Sequence, residues 1–269
     1  MKFIDILKYI ILGIVQGFTE PIPVSSSGHV FILKKLMGIT TIDLNFEIIV
    51  NFGSLLAILL IYKDDLIRLI KNFFKYFKVK NDETKRDYKY CWLIVLGSIP
   101  VGIVGFLFKD NIESALSNIK IVGISFLITS LFLFLVRNIK GIKKDKDLSW
   151  KDAVVIGLTQ VIALIPGISR SGSTLIGGLF RGLDRDTALR YSFMLYIPVS
   201  VGTTILGFKD LLEMSNIHDL VLPYGLGFIA SFVVSYFTLR WFIGVVKKGN
   251  LIYFSIYTLL LGLIILIFM

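Results

Sequence analysis

The 269-residue chain is 55% hydrophobic, with a mean hydropathy of +0.79 and a formal net charge of +10. Its apolar residues fall in long blocks between short charged stretches, which excludes a water-soluble core and predicts an all-α polytopic membrane protein. The basic residues sit between those blocks and not in an aromatic-interleaved stripe, so no nucleic-acid partner is expected; a single cysteine, Cys91, excludes an internal disulfide, and two histidines, His29 and His218, exclude a multi-histidine metal site.

Residues 4–36 read as two short helices interrupted by Pro, Ser and Gly, a pattern that suits a hairpin entering the membrane and returning. Asp5 and Lys8 interrupt the start of this segment and no small-residue cleavage site follows, so it is expected to stay in the mature protein. Residues 45–62, 90–108 and 119–137 are each long enough to cross a bilayer at ~20 residues per span. A second broken segment covers 152–181, and further spans are expected at 187–207, 221–240 and 250–269. The predicted architecture is therefore six full transmembrane helices plus two re-entrant helical hairpins, in one integral membrane domain over residues 1–269.

Between Lys63 and Lys89 lie nine basic residues, and Lys140, Lys143, Lys144, Lys146 and Lys151 follow Arg137. Such stretches face the cytoplasm. The connections Lys109 to Asn118 and Lys209 to Leu220 carry one basic residue each and at least two acids, and are expected outside. Arg240, Lys247 and Lys248 put the next turn inside, whereas Lys34 and Lys35 are exceptions lying outside.

Self-comparison reveals a repeat. Gly13-Ile14-Val15-Gln16 recurs as Gly157-Leu158-Thr159-Gln160, and Val24-Ser25-Ser26-Ser27-Gly28 as Ile168-Ser169-Arg170-Ser171-Gly172, both at an offset of 144 residues. An odd number of spans, three, separates the two broken hairpins, so the repeats (1–140 and 145–269) are expected to have inverted topology, with hairpin one opening outward. In such arrangements broken helices point their N-termini, with unpaired N–H groups, at a shared anion site. Small residues packing helices closely explain Gly177 and Gly178, but not why both Ser-Gly clusters follow a proline.

From Ile10 to Leu33 the side chains that ionise near neutral pH are Glu20 and His29, and from Ala153 to Phe180 the one such side chain is Arg170. A charge at the membrane centre costs roughly 2.5 to 3.5 kcal/mol on insertion scales, so Glu20 and Arg170 are candidates for one shared polar site. Arg170 offers a planar fork for phosphate beside Ser169 and Ser171; the alternative is that it snorkels to the surface. Glu20 could hold Mg²⁺ or Ca²⁺ or act as general base, the alternative being a helix-end hydrogen bond. Ser25, Ser26 and Ser27 supply hydroxyls of which one could attack phosphorus, and His29 is either the base for that step or a structural partner. Gln16, one turn before Glu20, can orient a group but cannot act as a base.

The two motifs QGFTEPIPVSSSGH (residues 16–29) and PGISRSG (residues 166–172), in this order and spacing, closely resemble those of the undecaprenyl-diphosphatase, or bacitracin-resistance protein, family. The resemblance implies hydrolysis of undecaprenyl diphosphate to undecaprenyl phosphate and inorganic phosphate at the outer face of a bacterial plasma membrane, with bacitracin tolerance. It implies catalytic roles for Glu20, Ser26, Arg170 and His29, a substrate cradle of Gln16, Ser25, Ser27, Gly28, Ser169, Ser171 and Gly172, and a divalent cation, Mg²⁺ or Ca²⁺, on Glu20. The family's first motif carries two glutamates a turn apart, and the first of them is Gln16 here. A lipid phosphate transporter is the competing reading, and a homodimer is compatible with the sequence.

Overall fold

The computed structural model describes residues 3–39, 44–108, 118–212 and 217–269, and among them the chain forms eleven α-helices and no β-strand. Hairpin one consists of α1 (Phe3–Thr19) and α2 (Ser26–Leu36). Then come α3 (Leu44–Ile61), α4 (Lys63–Lys75), α5 (Asp82–Leu107) and α6 (Ile119–Val136). A 3₁₀ turn at Asp145–Asp147 leads into hairpin two, α7 (Trp150–Ile162) and α8 (Arg170–Phe180). The chain ends with α9 (Arg185–Leu212), α10 (Ile217–Lys248) and α11 (Ile252–Phe268).

Four helices, α5, α6, α9 and α10, are individually long and apolar enough to cross a membrane, which makes this a polytopic all-α membrane protein. The other two expected spans differ: α3 has the 18 residues expected for 45–62 but bends by 74° into α4, with which it passes as one broken span, and α11 has 17 residues against the 20 expected for 250–269. The stretch expected to be a connecting loop, 63–89, is mostly helical. It contains α4, and α5 begins at Asp82, earlier than the expected 90, because Asn81 and Thr84 form a reciprocal cap with N···O distances of 2.8 and 3.2 Å. The two acidic connections, 109–118 and 209–220, and the side chain of His218 fall largely outside the described residues.

Both hairpins break where the sequence predicts. The arms of hairpin two have 13 and 11 residues, too short to span, and Pro166 and Gly167 separate them. Gly167 has φ +87°, and a side chain there would meet Val122 and Ser125 of α6 at 3.0 and 2.8 Å. Each hairpin lies against a long helix through a glycine contact. A Cβ on Gly13 of α1 would sit 2.2 Å from the Gly227 carbonyl oxygen of α10, and one on Gly157 of α7 would sit 2.4 Å from that of Gly97 in α5. The mouth of hairpin two is closed by Asp152, which is wholly buried and accepts from Ser149 Oγ (2.7 Å), Arg181 Nε (2.8 Å) and Lys143 Nζ (3.2 Å). These bonds join the first turn of α7 to the residue after α8, so the hairpin's two ends are fixed to each other.

Replacing Gly157 by valine is expected to push α7 off α5 and destabilise the protein by about 1–3 kcal/mol, the usual cost of overpacking. Thermal unfolding in detergent checks this, and an unchanged midpoint would mean that α7 and α5 have room to separate.

Candidate active site

The two helix breaks meet. Pro21 and Pro23 end α1 just after Glu20, whose N–H still bonds the Gln16 carbonyl at 2.9 Å. Ser25 then caps α2, its Oγ accepting from Gly28 N at 3.4 Å, and Ser169 caps α8, its Oγ accepting from Gly172 N at 3.1 Å. Ser26 and Arg170 are thus the first residues of their helices, and the positive ends of α2 and α8 face one region. Ser171 Oγ donates to the Ile22 carbonyl at 3.0 Å, a direct stitch between hairpins. Ser25 has φ +67°, the one positive φ at a non-glycine residue among those described, so the backbone is strained where the serines are presented.

Glu20 is the hub. Its Oε1 receives Arg170 Nη2 at 2.5 Å, and its Oε2 receives Gln16 Nε2 at 3.0 Å together with the Ser26 hydroxyl. Glu20 is 8% exposed, so these partners replace water around the carboxylate. The Arg170 guanidinium carbon lies 3.7 Å from the centre of the Tyr196 ring, and Tyr196 OH donates to Asn51 Oδ1 at 3.0 Å, which also receives Ser200 Oγ at 2.6 Å. Arg170 Nη1, also buried, has no protein hydrogen-bond partner. Beside this cluster is a cavity of about 190 Å³ whose wall includes Glu20, the three serines of hairpin one and Ser169, Arg170 and Ser171. An arginine with a spare N–H pair, two helix N-termini and a carboxylate-bound hydroxyl can bind an anion and transfer a proton from that hydroxyl.

Several expected site residues are placed differently. His29 points away from Ser26: Nδ1 pairs with the Ser25 carbonyl and Nε2 with Tyr257 OH, both at 2.7 Å, and the imidazole stacks on the Tyr257 ring. Both ring nitrogens are engaged in these contacts, and the ionisable group next to Ser26 is Glu20. Gly28 and Gly172 are not on the cavity wall. Their N–H groups serve the caps, and the space a side chain would take is occupied by Phe126 at Gly28 and by Ser169 and Pro23 at Gly172. Gln16 reaches the site through Glu20 and not through the wall. Conversely, Asn51, Tyr196 and Ser200 on α3 and α9 complete the site, although nothing in the sequence singles them out beyond Asn51 being a polar residue in an apolar span.

The donor set does not suit a protein-held divalent cation. Among the described residues no three His, Cys, Asp or Glu side chains converge, and both oxygens of Glu20 already accept hydrogen bonds.

Residues 9–264 match the family model described as "Bacitracin resistance protein BacA". The chain is 48% identical over its full length to undecaprenyl-diphosphatase 2 of Bacillus thuringiensis (strain Al Hakam), covering 99% of that protein. It is 46% identical to undecaprenyl-diphosphatase 1 of Bacillus licheniformis, with complete coverage of both chains, and 46% identical to the undecaprenyl-diphosphatase of Oceanobacillus iheyensis, covering 98% of it. A multi-pass helical membrane protein with a polar site enclosed between two broken hairpins is the class that the structure defines. The chain belongs to the BacA bacitracin resistance family.

If the Tyr196 ring holds Arg170 toward the cavity, Tyr196→Leu should weaken pyrophosphate binding by about 30-fold, the ~2 kcal/mol of a desolvated cation–π contact. Tyr196→Phe, which keeps the ring, should cost less than about threefold, since it removes a single neutral hydrogen bond. Calorimetric titration of pyrophosphate into the detergent-solubilised protein measures both.

Proposed function

We propose that this protein hydrolyses undecaprenyl diphosphate to undecaprenyl phosphate and inorganic phosphate, which returns the lipid carrier of cell-wall synthesis to its monophosphate form and confers bacitracin tolerance. The observation that carries the chemistry is the bidirectional use of one carboxylate: Glu20 accepts the Ser26 hydroxyl on one oxygen and Arg170 on the other. The names of the relatives, at 46–48% identity over the whole chain, support the substrate.

In this reading the terminal phosphoryl group enters the cavity with its oxygens toward Arg170 Nη1 and the N-termini of α2 and α8. Ser26 Oγ attacks the terminal phosphorus while Glu20 takes the hydroxyl proton. The bond from that phosphorus to the bridging oxygen breaks, and undecaprenyl phosphate leaves with the electron pair and with the proton Glu20 had taken, which returns Glu20 to its carboxylate form. Water then attacks the phosphoserine, again losing a proton to Glu20, and inorganic phosphate departs as Ser26 regains its hydrogen. Gln16 holds Glu20 in the rotamer that makes both contacts. Mg²⁺ or Ca²⁺ would arrive on the diphosphate, because the protein offers it one carboxylate. The excess of lysine and arginine in residues 63–89 and 137–151 supports a site that opens to the outer face of the plasma membrane, and the inverted repeat supports the two hairpins as counterparts.

Purified protein in detergent with Mg²⁺ or Ca²⁺ should release phosphate from a polyprenyl diphosphate, and Glu20→Gln, Ser26→Ala and Arg170→Ala should each lower kcat by about a thousandfold. A substrate labelled in its terminal phosphate should leave acid-stable label on the wild type and none on Ser26→Ala. Release without label would make water the nucleophile, and a folded, lipid-binding wild type that releases nothing would favour lipid transport. Gln16→Glu, by adding a carboxylate, should lower the cation concentration for half-maximal rate about tenfold.

A further inference from the structure

The helix α4 presents four faces. Along one, Asp65, Arg68, Leu69 and Asn72 face the protein: Asn72 Nδ2 donates to Asp87 Oδ2 at 2.8 Å, and Arg68 pairs with Asp65 at 3.0 Å and Asp87 at 3.4 Å. Directly opposite, Ile67, Ile70 and Phe74, followed by Phe77 in the turn after the helix, recur at helical spacing and are between 48% and 66% exposed. The flank between these two stripes carries Asp64, Lys71 and Lys75, all exposed, with the exposed Lys78 in the turn that follows. On the other flank Phe73 stacks on Tyr88 and approaches Trp92 of α5, at centroid distances of 5.0 and 6.5 Å. The 74° bend turns this helix away from the axis of α3, so it does not continue as a span.

A span facing lipid is apolar around its exposed surface, and a helix in water exposes charge. A helix whose exposed surface divides into an apolar stripe and a cationic one, bordered by aromatic rings, fits the boundary between acyl chains and headgroups. Asp65 and Asp87 pair with Arg68, and the lysines of this flank make no ion pair among the described residues; the exposed Asp64, two turns before Lys71 on the same flank, is the one acid there, and three lysines outweigh it. The surface is therefore complementary to negative charge.

We propose that α4 and the turn after it lie in the membrane interface, with the Ile67–Phe77 stripe in the acyl region, and that Lys71, Lys75 and Lys78 select anionic phospholipid headgroups. The site is separate from the cavity beside Glu20 and uses none of its residues.

The test uses the full chain in liposomes with Phe74→Trp as the sole tryptophan, Trp92, Trp150 and Trp241 being changed to Phe. The expected result is strong quenching by lipids brominated on their acyl chains. In equal mixtures, brominated phosphatidylglycerol should compete for the site at least about fivefold better than brominated phosphatidylcholine, the size expected for one basic residue at a charged surface. The preference should fall toward parity with added salt and with Lys71→Gln, Lys75→Gln and Lys78→Gln combined, while quenching itself persists. Thermal unfolding of each variant verifies that it is folded. A tryptophan open to aqueous acrylamide and insensitive to brominated lipid would overturn the interfacial placement. Equal quenching by both lipids would overturn the selection of anionic headgroups.

Discussion

Everything near the centre of this protein depends on one buried ion pair between residues 150 positions apart. Glu20 and Arg170 stand on different hairpins, and each would be costly alone in a low-dielectric environment. Removing one partner of such a pair typically costs about 3–5 kcal/mol, because the other is left uncompensated. Bringing them together requires two helix breaks to meet, and that requirement organises the rest. The arms of each break must be short, their N-termini must be capped by serines, and the hairpins must be clamped by helices that approach closely enough for glycine contacts. Asp152 then ties the two ends of hairpin two together, and Tyr196 supports the arginine from below.

The same pair explains why the site can be both buried and reactive. A carboxylate that served the arginine alone would only neutralise it. Glu20 has a second oxygen, and Gln16 and Ser26 share it. The hydroxyl is thereby held in the orientation for proton transfer, and the arginine is left with an N–H group for an incoming anion. The strained backbone at Ser25 is the local cost of turning three consecutive serines to one wall.

Much of this was legible in the sequence because membranes make charge informative: Glu20 and Arg170 stand out in apolar surroundings, and the prolines and glycines locate both breaks. What was not legible depends on contacts between distant residues. His29 lies in the motif three residues after Ser26, yet its ring turns to Tyr257, 228 positions away. Asn51, Tyr196 and Ser200 join the site because α3 and α9 pack together, a fact that spacing does not encode. The glycines 28 and 172 belong to the motifs for packing and capping, which is invisible until Phe126 and Pro23 are placed against them. Charge counting assigned residues 63–89 to a loop because lysines interrupt the hydropathy, whereas the apolar residues between them keep a helical period and fold as α4.

The offset of 144 that relates Ser26 to Arg170 also relates Gln16 to Gln160 and Glu20 to Leu164. Gln160 is wholly buried and neither its Oε1 nor its Nε2 has a protein partner, while Gln16 has its glutamate. Hairpin two thus keeps one member of a pair whose other member is a hydrocarbon. A buried amide with no partner is costly in a low-dielectric interior. Hairpin two therefore bears at position 160 the desolvation cost that hairpin one offsets at position 16 by giving the same amide a carboxylate to meet. The two hairpins share a pattern of breaks and caps, yet one of them alone turns its glutamine into part of a working site.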